Sequence, residues 1–154
     1  MLIIEAADSD PRIQRLIALQ KAHALEHTPP QYGHAFDAGS EKTAAVRFFL
    51  ALQGDEPVGC VGLATLGPGE AEIKTMHVLA ASRGEGIGMA LLERVIDEAR
   101  TTGATVLKLE TGPNEGFAAS RRLYERAGFK KCPPWGAYID DPFSHCMARK
   151  IEVR

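Results

Sequence analysis

The stretch Ser82-Arg83-Gly84-Glu85-Gly86-Ile87-Gly88-Met89 holds the residues whose types and spacing speak most directly of chemistry. Glycines at alternate positions let the backbone approach a ligand closely and adopt angles that a Cβ forbids. The regular apolar pattern that follows predicts a helix, whose unpaired N–H groups and positive dipole end would aim at the same point. Together they describe an anion cradle, to which Arg83 adds a fixed cation with five donors suited to a pyrophosphate or a ribose phosphate. Two phosphate ligands are excluded by count. A nucleoside triphosphate loop needs G-x-x-x-x-G-K-[ST], and no Lys follows these glycines. A dinucleotide fingerprint needs G-x-G-x-x-G, whose third glycine would fall on Met89 or Leu91.

Before the cradle, period-two alternation in the run Glu70 to Val78 places Glu72, Lys74, Met76 and Val78 on one face. Glu72 is a carboxylate that burial would make a better base. It is also spaced to pair with Lys74 as a structural ion pair. His77, with an ordinary pKa near ~6.5, is a second candidate for proton transfer, or else a packed strand histidine. A separate cluster, His23-Ala24-Leu25-Glu26-His27, is literally H-x-x-E-H, the inverted zinc-peptidase pattern with both imidazoles on one helical face. The helix stops at Pro29 and no third carboxylate ligand follows in a helix of its own. A zinc-dependent hydrolase using His23, Glu26 and His27 therefore stands as an alternative only, and no metal is expected.

The elements that must hold these groups can be taken in order. Leu2 to Ala6 is a short strand ended by Asp8-Ser9-Asp10-Pro11. Asp10 is a helix N-cap with Pro11 at the first helical position, and Ile13, Leu16, Ile17 and Leu25 mark an apolar stripe running to Thr28-Pro29-Pro30. Residues 31–42 read as an irregular loop leading to a short helix capped by Ser40. Val46 to Gln53, Pro57 to Leu66 and Ala71 to Leu79 form three successive antiparallel strands, with turns at Gly54-Asp55-Glu56 and Gly67-Pro68-Gly69-Glu70. After the glycine loop, Leu91, Val95 and Ala99 with Leu92 and Ile96 predict a core-facing helix ending at Gly103. A strand over 105–111, a helix over 115–127 with Gly128 at C′, and a last strand over 144–151 complete one mixed α/β domain, 1–154. Its sheet has about six or seven strands and its helices number three or four.

Composition narrows the partners. The 154 residues are 45% hydrophobic and 25% charged, with a net charge of −2 and no long run of either sign, so no electrostatic footprint for nucleic acid is expected. No apolar run approaches the ~18 residues that span a membrane. Cys60, Cys132 and Cys146 lack C-x-x-C spacing, and the apolar start breaks at Glu5 and Asp8, which predicts reduced thiols in the cytoplasm. A homodimer is one option that the sequence leaves open.

Arg83, Gly86 and Gly88 occupy the fixed places of [Q/R]-x-x-G-x-[G/A], the acetyl-coenzyme A signature of the GNAT N-acetyltransferase superfamily, which this chain resembles. Two further features agree: Val78 five positions before Arg83, and Leu123-Tyr124-Glu125-Arg126-Ala127-Gly128-Phe129, which resembles the family's L-Y-x-x-x-G-F segment. The resemblance implies the acyl-CoA N-acyltransferase (GNAT) fold and an acetyl-CoA-dependent N-acetyltransferase acting on the amine of a small molecule or peptide by direct attack on the thioester. It implies acetyl-CoA contacts from Met76, His77, Val78, Arg83, Gly84, Glu85, Gly86, Ile87, Gly88, Met89 and Tyr124. A backbone N–H at Val78, with His77, would serve the oxyanion at a bulge in the strand, and Tyr124 would protonate the leaving thiolate. Glu72, six residues before Val78, matches the general-base carboxylate of several members, with His77 as second choice. Phe117 departs from the Asn often found seven residues before the tyrosine.

The acceptor pocket of this family falls on the end of the first helix, the loop after it and the tail. That points to His27, Tyr32, His34, Phe36 and Asp37, and to Trp135, Tyr138, Asp140 and Asp141. Thr28-Pro29-Pro30 paired with Asp141-Pro142-Phe143-Ser144 is similar to a branch of small, mostly unassigned bacterial GNAT proteins. A module that binds acetyl-CoA as a sensor without transfer is the remaining alternative.

Overall fold

Asp10 begins the first helix as its spacing predicts. In the computed structural model, which describes residues 1–29 and 46–152, its carboxylate accepts a hydrogen bond from the Arg12 backbone N–H and Pro11 follows as the first helical residue. This helix, α1 (Pro11–His27), follows strand β1 (Leu2–Ala6). Then come β2 (Val46–Gln53), β3 (Glu56–Gly67), β4 (Glu70–Val78), α2 (Ile87–Thr101), β5 (Val106–Thr111), α3 (Ala118–Arg126), β6 (Lys130–Lys131) and β7 (His145–Lys150). The expected helix over 115–127 opens as a 3-10 turn, Glu115–Phe117, before α3 begins, and Gly128 ends it at φ 93°. Among the described residues, no helix is long and apolar enough to cross a membrane.

The strands form one mixed sheet in the order β1-β2-β3-β4-β5-β7-β6. Among the described strands one pair, β4–β5, is parallel and is joined by a crossover through α2; the other pairs are antiparallel. A core lies on each face. On one, Ile87, Leu91, Leu92, Val95, Ile96 and Ala99 of α2 close over Phe49, Val61, Ile73, Leu107 and Leu109, with Tyr124 of α3 and Phe129 in the same cluster. On the other, Ile13, Leu16 and Ile17 of α1 cover Phe48, Leu50, Leu52 and Cys60. The apolar stripe of α1 stops there, because Leu25 is 46% exposed, and beyond Ile17 the same face continues with Gln20, His23 and Ala24.

One irregularity decides how the sheet presents its side chains. Cys60 pairs with His77 but Gly62 pairs with Lys74, so two residues of β4, Thr75 and Met76, stand opposite the single residue Val61. This is a β-bulge, and Thr75 takes φ 49°, an uncommon angle for a β-branched residue. The bulge inverts the alternation. Ala71 and Ile73 face the α2 core before it, and Met76 and Val78 face the same core after it. The expectation that Glu72, Lys74, Met76 and Val78 share a face is therefore corrected: Glu72, Lys74 and His77 lie on the α1 face, and Met76 and Val78 on the α2 face.

Candidate active site

The last rung of the parallel pair is Ile73–Leu109, and beyond it β4 and β5 part. A cleft of about 520 Å³ occupies the gap. It runs from the glycine loop, past the bulge and Tyr124, to the carboxylates on the α1 face, so it joins the cradle to the other candidate chemistry.

At the loop end, Gly84 and Gly86 have φ of 81° and 82°, angles that side chains rarely adopt, and Gly86 is the N-cap of α2. A Cβ on Gly88 would stand 2.8 Å from Leu123 Cδ2, so this glycine lets α2 pack close to α3. The Arg83 Nε–H donates to the Val78 carbonyl at 3.3 Å, tying the loop to the end of β4. Arg83, Gly84, Gly86, Ile87, Gly88 and Met89 all line the cleft, as do Met76, His77 and Val78 from the strand; Glu85 is exposed and does not line it. The N–H groups of a helix start, two left-handed glycines and an exposed guanidinium suit a polyanionic ligand such as a nucleotide diphosphate.

At the other end the groups are buried and carboxylate-rich. Glu72, only 5% exposed, accepts through Oε2 from the Tyr138 hydroxyl at 2.8 Å and from Lys74 Nζ at 3.4 Å, and Lys74 Nζ also donates to the Tyr138 oxygen at 3.2 Å. The Glu72–Lys74 pair anticipated from spacing is present and Tyr138 completes it as a triangle. Burial, then the Glu72 carboxylate, holds the Tyr138 phenol well above its ordinary pKa, so it stays a donor.

The residue that the sequence reading missed is Glu110. It is the first position of β5 past the last parallel rung, on the face away from the buried Leu107 and Leu109, and it lines the cleft. Burial, followed by the negative charge of Asp141, pushes its pKa from 4.5 up to about 8; Lys74 opposes this and Glu72 adds to it. Alternation along β5 could have found it, since Leu107 and Leu109 in the core force a carboxylate onto the face that carries Glu72.

Tyr124 is wholly buried beside the same group. Burial and then the Glu110 charge raise its pKa, so the phenol keeps its proton, and its ring meets Phe129 edge-on at 6.1 Å. His77 is lowered to about 4, first by burial and then by the positive potentials of Arg83 and His23, which keeps it neutral. Thr75 Oγ1, at the bulge, is a buried hydroxyl with no hydrogen-bond partner among the described residues.

Of the residues expected around an acceptor, Tyr138 lines the cleft, whereas His27, Trp135 and Asp141 do not. Trp135 buttresses Tyr138, edge-on at 5.1 Å, beneath Lys108 Nζ at 5.2 Å. Asp141 acts on Glu110 through its charge and accepts at Oδ1 from the Phe143 N–H at 2.8 Å. His27 ends α1 against Gly116, and it is His23, one turn earlier, that reaches the cleft. Phe117 also lines the cleft, in edge contact with His23 at 5.5 Å and His27 at 5.9 Å. Tyr32, His34, Phe36, Asp37 and the Ser40 cap lie outside the described residues.

Known proteins resemble this chain in sequence and in fold. The sequence profile of the acetyltransferase (GNAT) family matches residues 11–129. The uncharacterized N-acetyltransferase YsnE of Bacillus subtilis (strain 168) is 33% identical over 141 residues, covering 90% of this chain and 93% of that one. A protein of Azospirillum brasilense named IAA acetyltransferase is 38% identical over 126 residues, 80% of each chain. The crystal structure of a GNAT family acetyltransferase from Elizabethkingia anophelis with acetyl-CoA bound superposes with a TM-score of 0.70, at 21% identity over 97% of both chains.

Proposed function

The chain belongs to the acetyltransferase (GNAT) family, and we propose that it transfers the acetyl group of acetyl-CoA to the amine of a small, positively charged acceptor. One observation carries the choice of acceptor: the buried carboxylate Glu72 and the half-buried Glu110, with the Asp141 charge beside them, at the end of the cleft opposite the cradle. Among the described residues Lys74 offsets them, and an ammonium entering there would meet net negative charge in a site shielded from bulk water, where attraction is strong.

The donor would lie with its pyrophosphate on the glycine loop, against the N–H groups opened by Gly84 and Gly86 and within reach of Arg83. It supplies an activated acyl carbon and a thiolate leaving group. Glu110 takes a proton from the acceptor ammonium, breaking N–H and forming O–H, and later releases it to solvent. Its pKa of about 8 is closer to that of an alkyl amine, near ~10, than an exposed carboxylate's would be, which favours the transfer. The freed nitrogen attacks the thioester carbon while backbone N–H groups at the bulge, around Met76 to Val78, face the carbonyl oxygen. As the C–S bond breaks, Tyr124 gives its proton to sulfur and regains one from the acylated nitrogen, so one proton is released per turnover. Glu72, with Tyr138 and Lys74, orients the acceptor; neutral His77 lies on the same face as a second proton acceptor.

The test is release of free thiol from acetyl-CoA in the presence of polyamines, amino acids, aminoglycosides, peptides and IAA, the last because the Azospirillum relative carries that name. Turnover highest with cationic amines supports the reading. Tight acetyl-CoA binding without turnover on any acceptor would mark the chain as a sensor instead.

A further inference from the structure

His23, Glu26 and His27 take no part in the proton transfers above, yet they lie together. Residues at i, i+3 and i+4 share one helical face, and one ligand atom from each of the three falls within 4.8 Å of the others. The two rings are 4.6 Å apart. A second feature points the same way. His23 Nε2 is 3.0 Å from the Gly116 carbonyl, which can only accept, so Nε2 carries a proton and Nδ1 is the ring nitrogen left to face a ligand. An imidazole fixed by an N–H bond to a backbone carbonyl is the support that metal-ligating histidines ordinarily have.

We propose that His23, Glu26 and His27 bind one divalent transition-metal ion such as Zn²⁺, clamping the end of α1 onto the turn at Glu115–Phe117. Ligand atoms around a tetrahedral zinc stand about 3.4 Å apart, given metal–ligand bonds near ~2.1 Å. Closing the cluster from 4.8 Å therefore requires a shift of roughly an ångström. Glu26, which is exposed, can make it by rotation about its side-chain bonds. Three protein ligands leave a fourth position for water. Gly116 is part of the design: a Cβ there would come 2.3 Å from His27 Nδ1, so the glycine is what allows that ring to sit against the turn. The Asn114 side chain bonds the His27 carbonyl and holds the same junction from the other side. His23 lines the cleft, so an ion here would stiffen one wall of it.

The inference is independent of the acetyl-transfer reading and its test does not use activity. Tag-free protein, stripped with chelator, is titrated with ZnCl2 by calorimetry, and with CoCl2 by visible absorption. One equivalent should bind with a dissociation constant in the micromolar range and raise the melting temperature. His27→Gln, which keeps size and polarity, should weaken binding at least tenfold, and Glu26→Gln several-fold. Gly116→Ala, which changes no ligand residue but displaces the His27 ring, should weaken it as well. No binding up to millimolar zinc, or binding unchanged in folded His27→Gln and Gly116→Ala, overturns the site.

Discussion

Replacing Glu110 by Gln removes a negative charge from a cleft that raises its pKa from 4.5 to about 8, so it should leave two opposite signatures. The first is stability. Between these two pH values the folded protein holds a proton that the unfolded chain has released, so unfolding free energy falls as pH rises through the window. It stops falling above about 8, where both states are ionised. At about 1.4 kcal/mol for each pH unit, the ceiling on the loss is about 5 kcal/mol. Gln, isosteric and uncharged, escapes it: urea midpoints of wild type should drop from pH 5 to pH 9, while those of Glu110→Gln drop less, leaving the variant the more stable at pH 9. The second signature is catalytic and has the other sign. Only the ionised carboxylate accepts a proton, so kcat/KM of wild type should climb with pH up to about 8. Glu110→Gln should lose that limb and about 10²- to 10⁴-fold in rate. Wild-type and variant midpoints that run parallel from pH 5 to pH 9 would refute the burial argument. An unchanged rate and pH profile would take Glu110 out of the proton transfer.

Other perturbations separate the remaining parts of the cleft. Tyr124→Phe keeps the buried ring and removes its proton; kcat should fall roughly 10- to 1,000-fold with little change in acetyl-CoA affinity, and an unchanged kcat removes Tyr124 from the mechanism. Gly86→Val puts a β-branched residue at φ 82°, where nothing crowds the Cβ but the backbone angle itself is strained by about 1–3 kcal/mol. Acetyl-CoA binding by calorimetry should be lost, and normal affinity would defeat the cradle. Tyr138→Phe deletes the 2.8 Å bond to the buried Glu72 carboxylate and should cost about 1–3 kcal/mol in urea denaturation, whereas an unshifted midpoint would show that Lys74 alone satisfies that oxygen.

The framework was legible because its signals are local. Asp10-Pro11 starts α1, Gly128 stops α3, and the turns at Gly54 and Gly69 separate β2, β3 and β4, each through backbone angles or caps that a residue type announces. The cradle was legible for the same reason. A bulge in β4 was expected only through the family resemblance, at Val78 with His77; its place was not legible, since the extra residue is Thr75, a good strand former with no preference for φ 49°, and only pairing with Cys60 and Gly62 reveals it. Glu110 was missed because what sets it apart is burial in the cleft and then the charges of Asp141, Lys74 and Glu72, none of them its chain neighbours. His27 was preferred over His23 because sequence shows that both share a face but not that Gly116 stands against the later one.

Because of the bulge, β4 works as two strands in opposite phase. Side chains before Thr75 face the α1 side of the cleft with even-numbered residues, and those after it face the α2 core with even-numbered residues from the other side. In the proposed reaction, substitutions at Glu72 or Lys74 would therefore retune the choice of amine and leave the packing of Met76 and Val78 unchanged. Deleting Thr75 would restore one-to-one pairing opposite Val61 and keep Met76 and Val78 on the core face, whereas straightening the strand with Thr75 retained would carry His77 into the core and Met76 and Val78 onto the α1 face. In this strand the identity of each side chain sets what is offered, and one extra backbone residue sets the face on which it is offered.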